Sequence, residues 1–527
     1  MPPRTRSAAR LTRTTPAPSL PTPAPSLLSL PQELLLNILC ALLDPEDLAH
    51  VESAGKVFTS AVEAVLRLRA APSALSSLGS EEEAWMNEHA RITTILFRHE
   101  RSCKALLKAR VGILSTGDDH TLLLQNGRAY SCGAGDQGEL GYACEPPAMI
   151  PGVMYPCGFI CSSRLSAIPA FTNRRVKMVA AGQMASVVLL DDGSVYTFGI
   201  PFVCGHPEGE NEDEIPIPRK VAALDGVIIT CVAASRHAIA VSASGSVYSW
   251  GEGDHGGLGH GIFLPRSGPG RVQHEPRRVL SLRGIRICVA CVGNDFTLLL
   301  SEDGVVFACG SNDCGQLGFP QPSQISDPRP IEGVPRIQAM AAGGHTLLLS
   351  CEGDIFSCGC NSYGQLGLGH TDDLCVPTKV SSFVRCSSDG RRPKFAAIAA
   401  DTRHSAAISA EGHVYTWGAY GDGRLGHGTK QDEHKPRRIT PSLLAGAVYI
   451  DANSRTMVVC ADGSIYGFGG GSEGQLGIPN VRRCRLPQQA LAYEGEPKFD
   501  ERGEEWEAAQ EAEEWDEDED EDDVDYV

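Results

Sequence analysis

Seven copies of one pattern along this 527-residue chain each place a second glycine six positions after the first. The first members are Gly127, Gly193, Gly245, Gly304, Gly353, Gly412 and Gly463. The second members are Gly133, Gly199, Gly251, Gly310, Gly359, Gly418 and Gly469. Invariant spacing over seven copies marks a repeat, and a repeat decides the architecture before any single residue does. Each first glycine lies between two short apolar stretches with strand alternation, as in His345-Thr-Leu-Leu-Leu-Ser, Cys-Glu-Gly, Asp-Ile-Phe-Ser-Cys-Gly. That pattern predicts a β-hairpin whose turn needs positive φ. Pro218–Val221, Pro276–Val279, Pro377–Val380 and Pro436–Ile439 read as the first residues of a further strand, where proline is tolerated. Each unit then offers about four strands, a sheet that cannot bury its faces alone, whereas seven arranged radially can.

Six of the seven copies continue as Gly-x-x-x-x-Gly-x-Leu-Gly, from Gly133–Gly141 through Gly469–Gly477. The second copy departs: Ile-Pro-Phe-Val-Cys-Gly follows Gly199, which predicts a remodelled outer loop. The spacing has the look of a phosphate loop, but no Lys follows the second glycine. Without that Lys and a hydroxyl for magnesium, nucleotide binding is not expected, and no cofactor is.

The glycine pairs, the Gly-x-x-His-Thr block and Gly315-Gln-Leu-Gly318, Gly364-Gln-Leu-Gly367 and Gly474-Gln-Leu-Gly477 resemble the repeat of the regulator-of-chromosome-condensation family. The resemblance covers about residues 111–495 and implies a mainly β fold, a seven-bladed β-propeller. The first copy has no proline-led strand upstream. The strand around Pro487-Gln-Gln-Ala490 is therefore expected to complete the first blade and close the ring.

Within the repeat, His120, His237, His345 and His404 share one slot with Ala185, Phe296 and Arg455. A slot that varies so freely predicts packing or turn bonding, not catalysis. Cys132, Phe198, Trp250, Cys309, Cys358, Trp417 and Phe468 share the slot before the second glycine and read as blade-packing side chains. Plant light-sensing members of the family carry a rich tryptophan cluster. With only Trp250 and Trp417 inside the repeats, that role is not expected here.

Residues 29–70 have helical periodicity instead. Ser29-Leu-Pro-Gln32 fits a capping box, with Pro31 in the first turn. Leu30, Pro31, Leu34, Ile38 and Leu39, then Asp44-Pro45-x-Asp47-Leu48 and Phe58, resemble an F-box. That family docks the Skp adaptor of cullin-based ubiquitin ligases. The resemblance places Leu30, Pro31, Leu34, Ile38, Leu39 and Leu48 at the adaptor face or in its support. Ala54 and Gly55 depart from it, standing where the family commonly has Val and Cys. A plain helical cap on the propeller is the competing reading. Residues 71–110 form a helical linker in this scheme. Its Ser80-x-x-Glu83 capping box leads a stripe of Trp85, His89, Ile92, Leu96, Cys103 and Leu107.

Charge is concentrated at one end. Residues 500–527 carry 17 Asp/Glu against one Arg, leaving −3 of the −19 total to the other 499 residues. A body so nearly neutral argues against direct nucleic-acid binding. The acids from Asp516 to Asp523 predict a disordered tail within 496–527, solvating or able to tether a basic partner. Residues 1–28, rich in Pro and Arg, read as a disordered lead. The absence of acids up to Gln32 leaves an organelle transit peptide open.

No membrane span is expected, since the uncharged run Pro146–Ser163 holds four prolines. Nineteen cysteines without a secretory signal predict a reduced, intracellular setting, cytoplasm or nucleus. Cys288-x-x-Cys291 and Cys358-x-Cys360 lack a second pair at zinc-knuckle spacing, so all four read as small core residues.

No nucleophile–base pair, carboxylate pair or metal cluster stands out. The sequence thus predicts a non-catalytic protein-interaction protein: a substrate-recruiting F-box-like subunit of a cullin-type ubiquitin ligase. The family resemblance offers two alternatives. One is a guanine-nucleotide exchange factor for a Ran-like small GTPase; the insertions at 142–175 and 200–217 are long enough to hold the wedge that this activity uses. The other is a scaffold with no ubiquitin link.

Overall fold

The computed structural model describes residues 113–493, apart from 143–160, 208–213, 266–271, 322, 384–391, 441–443, 445, 480 and 491. Of the two units into which the chain divides, the described residues all fall in the second, Thr94–Val527. They form seven antiparallel sheets in sequence order, the blades of a mainly β, seven-bladed propeller. Each blade takes four consecutive strands: inner, second, third and outer. The inner strands, such as Val176–Ala181 and Ile337–Ala342, line a central channel.

The glycine pairs build each blade. The first glycine turns the second strand into the third, with φ between +74° and +84° in all seven copies. The second glycine lies directly opposite the variable slot: His120↔Gly133, Ala185↔Gly199, His237↔Gly251, Phe296↔Gly310, His345↔Gly359, His404↔Gly418 and Arg455↔Gly469. There φ is +104° to +119°, and a Cβ would come within 2.5–2.9 Å of the slot residue's Cα. Only glycine fits, and the pairing to the outer strand shifts register at this point.

The third glycine joins neighbouring blades. At Gly138, Gly256, Gly315, Gly364, Gly423 and Gly474, a Cβ would meet the outer-strand backbone of the next blade at 2.3–2.9 Å. The fourth glycine makes room for the packing slot. A Cβ on Gly141, Gly205, Gly367 or Gly426 would strike Phe198, Trp250, Trp417 or Phe468 of the next blade at 2.7–2.9 Å. Where that slot holds Cys309 or Cys358, Pro328 or Pro377 of the outer strand fills the space instead. All seven packing-slot residues are fully buried. The second blade's loop is indeed remodelled: a short 3-10 turn, Pro201–Val203, leads to Gly205.

Two expectations need correction. The proline-led segments do not begin strands. Pro218, Pro276, Pro377 and Pro436 lie inside the outer strands Ile215–Lys220, Val272–Arg278, Leu374–Lys379 and Glu433–Arg438. An outer strand has one unpaired edge, so it accommodates proline along its length. The strand holding Pro487, Arg483–Ala490, is the seventh blade's own outer strand, paired to Ile465–Gly470. The first blade has its own fourth strand, Cys161–Ala167, which has no proline; Leu165 faces Gly477 where Pro377 faces Gly318. The four antiparallel strands of every blade are thus contiguous in sequence. The ring closes by the ordinary blade contact, Gly474 on Ser163, and by a fifth strand, Ala492–Tyr493, parallel to the first blade's edge.

Candidate functional site

The variable slot stitches the blades. The Nε2 of His120 meets Ser186 Oγ at 2.9 Å, and Ser186 Oγ donates to the Glu139 carbonyl at 2.7 Å. His237, Thr297 and the Gly257 carbonyl repeat this relay, as do His345, Ser405 and Gln365, and His404, Thr456 and Arg424. In each relay the histidine belongs to one blade and the hydroxyl to the next, one residue after that blade's own slot. Because the hydroxyl proton is committed to the carbonyl, Nε2 is the donor; the rings of His120, His237 and His345 can be neutral, whereas His404 also meets the Asp401 carboxylate through Nδ1, at 2.5 Å. The Nδ1 atoms of His120 and His345 have no partner among the described residues, as suits a bare lone pair. Burial pushes His120 down to about 3 and His237 and His345 to about 4. These imidazoles are structural donors, as the sequence reading expected.

This carries a pH consequence. An imidazole whose folded pKa is depressed takes up its proton in the unfolded chain first, so stability is lost as pH falls below about 6.5. For His237 the loss runs from there to about 4, with Asp295 and Asp254 pulling against burial. Compared with His237→Gln, wild-type protein should lose about 2 kcal/mol more between pH 7 and pH 5. Urea melts of both proteins at the two pH values check this, and parallel losses would contradict it.

At the seam between blades seven and one, Arg455 takes the histidine's place. Its guanidinium donates to the carbonyls of Gly117, Asp118 and His120 at 2.6–3.2 Å and to Thr121 Oγ1 at 2.9 and 3.1 Å. Thr121 Oγ1 passes its proton to the Gln475 carbonyl. Burial lowers Arg455 only to about 10, so it stays charged. On the channel side of the seam, Asp451 Oδ2 accepts from Thr116 N and Oγ1 at 2.7 and 2.9 Å. Burial raises its carboxyl to about 6.

These stitches hold one face in place, the end where inner strands turn into second strands. The channel, about 180 Å3, has alanine-rich walls including Ala180, Ala233, Ala290, Ala341 and Ala399. Its mouth is ringed by one residue per blade: Asp118, Gln183, Ser235, Asn294, Gly343, Thr402 and Asn453. Two pairs in the ring are joined, each at 3.2 Å: Asn453 to Asp118 of the adjoining first blade, and Asn294 of blade four to Thr402 of blade six, past Gly343. The next residue in each blade forms a second, wider ring with exposed or half-buried Asp119, Met184, Arg236, Asp295, Gly344, Arg403 and Ser454. Arg236 bridges Glu252 and Asp295, and Arg403 lies over the Tyr363 ring. The result is a face of mixed charge with an exposed Met184, on a rigid frame. Such a surface suits protein recognition.

The residues assigned to adaptor docking, Leu30, Pro31, Leu34, Ile38, Leu39 and Leu48, lie outside the described residues. So do the linker helix, the acidic tail and much of the two insertions. No helix among the described residues is long and apolar enough to cross a membrane. Cys288 and Cys358 are buried core residues as expected, but Cys360 is half-buried and meets Cys314 of the preceding blade. That pair was not legible in sequence, because its members stand 46 positions apart and meet only once the repeats are stacked.

The model of the RCC1-like domain family matches residues 159–494. The chain is similar to the ultraviolet-B receptor UVR8 of Arabidopsis thaliana, 34% identical over 58% of this chain and 68% of that one. It is similar to the probable E3 ubiquitin-protein ligase HERC3 of Homo sapiens, 33% identical over 64% of this chain, but it spans only 30% of that protein. Among solved structures it resembles Prp20p of Saccharomyces cerevisiae, reported with its binding to Gsp1p and histones. The TM-score is 0.56 and the identity 20%, over 72% of this chain and 87% of that one, a likeness of fold. Trp250 and Trp417 are buried blade-packing residues whose Nε1 atoms bond the preceding blade's loop carbonyls. Repeat register, blade architecture and family match agree: this chain belongs to the RCC1-like domain family.

Proposed function

We propose that this protein is a non-catalytic recruiter, a substrate-binding subunit of a cullin-type ubiquitin ligase. The observation that carries the binding role is the double ring of polar and charged side chains around the channel mouth, held by a buried inter-blade relay. The ring would hold the target. Residues 29–70 would dock a Skp-type adaptor through Leu30, Pro31, Leu34, Ile38, Leu39 and Leu48. Tethering then raises the effective concentration of target near the transferring enzyme. The likeness to HERC3, itself named a ubiquitin ligase, supports the ubiquitin link.

Pro31→Ala with Leu34→Asp places a charge on the apolar docking face. Affinity for a purified Skp-type adaptor should fall at least about tenfold, about 1.4 kcal/mol, with the propeller's melting unchanged. Absence of adaptor binding by the wild type would leave the helical-cap reading in its place.

The likeness of fold to Prp20p favours a second reading, an exchange factor for a Ran-like small GTPase. A nucleotide-release assay separates the two. The recruiter reading predicts no acceleration above the uncatalysed rate, and a concentration-dependent acceleration would reverse the ranking.

A further inference from the structure

Two thiols from neighbouring blades meet on the face just described. Cys314 lies in the fourth blade's loop after Gly310, and Cys360 follows Gly359 in the fifth blade. Their Sγ atoms are 2.6 Å apart, well inside the roughly 3.5–4.0 Å of ordinary non-bonded contact. Both are half-buried, hence reachable by a small oxidant.

The positions are set by their surroundings. Cys314 N donates to Gln316 Oε1 at 3.0 Å, and Gln316 Nε2 is tied to Ser311 Oγ at 3.1 Å. Asn361, next to Cys360, donates from its backbone to Asp373 Oδ1 and from Nδ2 to the His370 and Asp372 carbonyls, at 2.7–2.9 Å. The repeat offers an independent measure of the same spacing. At the equivalent positions of blades six and seven, a Cβ on Gly470 would lie 3.9 Å from Asp422 Cβ. A disulfide wants its Cβ atoms about 3.8 Å apart.

One member of the pair differs chemically from the other cysteines, while Cys360, whose thiol proton is held by Cys314 and which is itself partly buried, is pushed up. Cys132, Cys204, Cys231, Cys309 and Cys358 are buried and pushed up to about 11 or higher, which leaves them inert. Cys314 alone among the described cysteines is shifted down, because Cys360 donates to it.

We propose that Cys314 and Cys360 form a reversible cross-link, made by hydrogen peroxide, that clamps blade four to blade five. The Cys314 thiolate attacks one peroxide oxygen and the O–O bond breaks. A sulfenic acid forms on Cys314, and the leaving hydroxide takes up the thiol proton as the first water. The Cys360 sulfur then displaces the hydroxyl group, which leaves with the Cys360 proton as the second water. Two thiols lose two electrons and one peroxide becomes two waters; a dithiol reductant reverses the step. The Asp373 carboxylate lies within 4.8 Å of both sulfurs, so a soft metal ion is the rival occupant. Two thiolates at about 2.3 Å from a tetrahedral zinc would sit about 3.8 Å apart, wider than this pair.

The test uses the full chain. Protein is treated with hydrogen peroxide, its remaining thiols are blocked with an alkylating agent, and non-reduced peptides are mapped by mass spectrometry. A Cys314–Cys360 linked peptide should dominate and vanish after dithiothreitol. Oxidation should raise the melting temperature by at least about 3 °C in the wild type but not in Cys314→Ser or Cys360→Ser. The mapping needs only wild-type protein, so a poorly folding variant does not obscure the answer. Separate alkylation of both thiols after oxidation would overturn the proposal. So would one zinc per chain that protects both thiols.

Discussion

Cutting the chain after Gly477 should leave a protein that aggregates and melts at a markedly lower temperature. The cut removes the seventh blade's outer strand, which pairs Ala490, Gln489, Gln488, Cys484 and Arg483 with Ile465, Tyr466, Gly467, Gly469 and Gly470. Five pairings at about 1 kcal/mol each suggest a loss of about 5 kcal/mol before packing is counted. Buried Cys484 and Ala490 go as well, and Gly423 loses the Arg485 backbone against which it packs. The newly bared edge of Ile465–Gly470 offers unpaired backbone to other copies. A second truncation, after Tyr493, serves as the control. It keeps every described strand, and its melting temperature should stay within about 2 °C of the full chain. Size-exclusion chromatography with thermal melting reads both. A monomeric first truncation with unchanged melting would contradict closure through this blade.

Arg455→Ala should be the most damaging single substitution in the seam. The side chain is fully buried and its donors satisfy three carbonyls of the first blade. Alanine leaves those carbonyls short of donors, opens a cavity and strands the Thr121 relay. A loss of about 3–5 kcal/mol follows. Arg403→Ala is the matched control on the same face. Arg403 is exposed and rests on the Tyr363 ring at 5.6 Å, so its loss should cost about 0.5–1 kcal/mol. Urea midpoints with unchanged m-values would report both. Equal costs would mean that the buried network contributes nothing special to closure.

These predictions mark the boundary between local and non-local information in the chain. The hairpins were legible because a positive-φ glycine between alternating strands is a local signal, repeated seven times. The packing slot was legible because its residues vary in size yet never become charged. The assignment of outer strands to blades was not. Each lies midway between two hairpins, and only the pairing across the Gly-x-x-x-x-Gly-x-Leu-Gly loop decides which one it joins. The first blade's strand hid further, because Leu165 replaces the proline that marked the others. The role of Arg455 was equally hidden. In sequence it is an odd residue in a histidine slot, and its reason is the carbonyls of a blade more than 330 positions away. The adaptor face, Leu30 to Leu48, rests on the sequence alone, since it lies outside the described residues.

The recruiter reading is tested most directly by affinity purification of the full-length protein, with identification and quantification of what comes with it. The account predicts a Skp-type adaptor and a cullin, both lost from the Pro31→Ala, Leu34→Asp variant, with other partners retained through the propeller. Recovery of a small GTPase with no adaptor and no cullin, equally from wild type and variant, would contradict it.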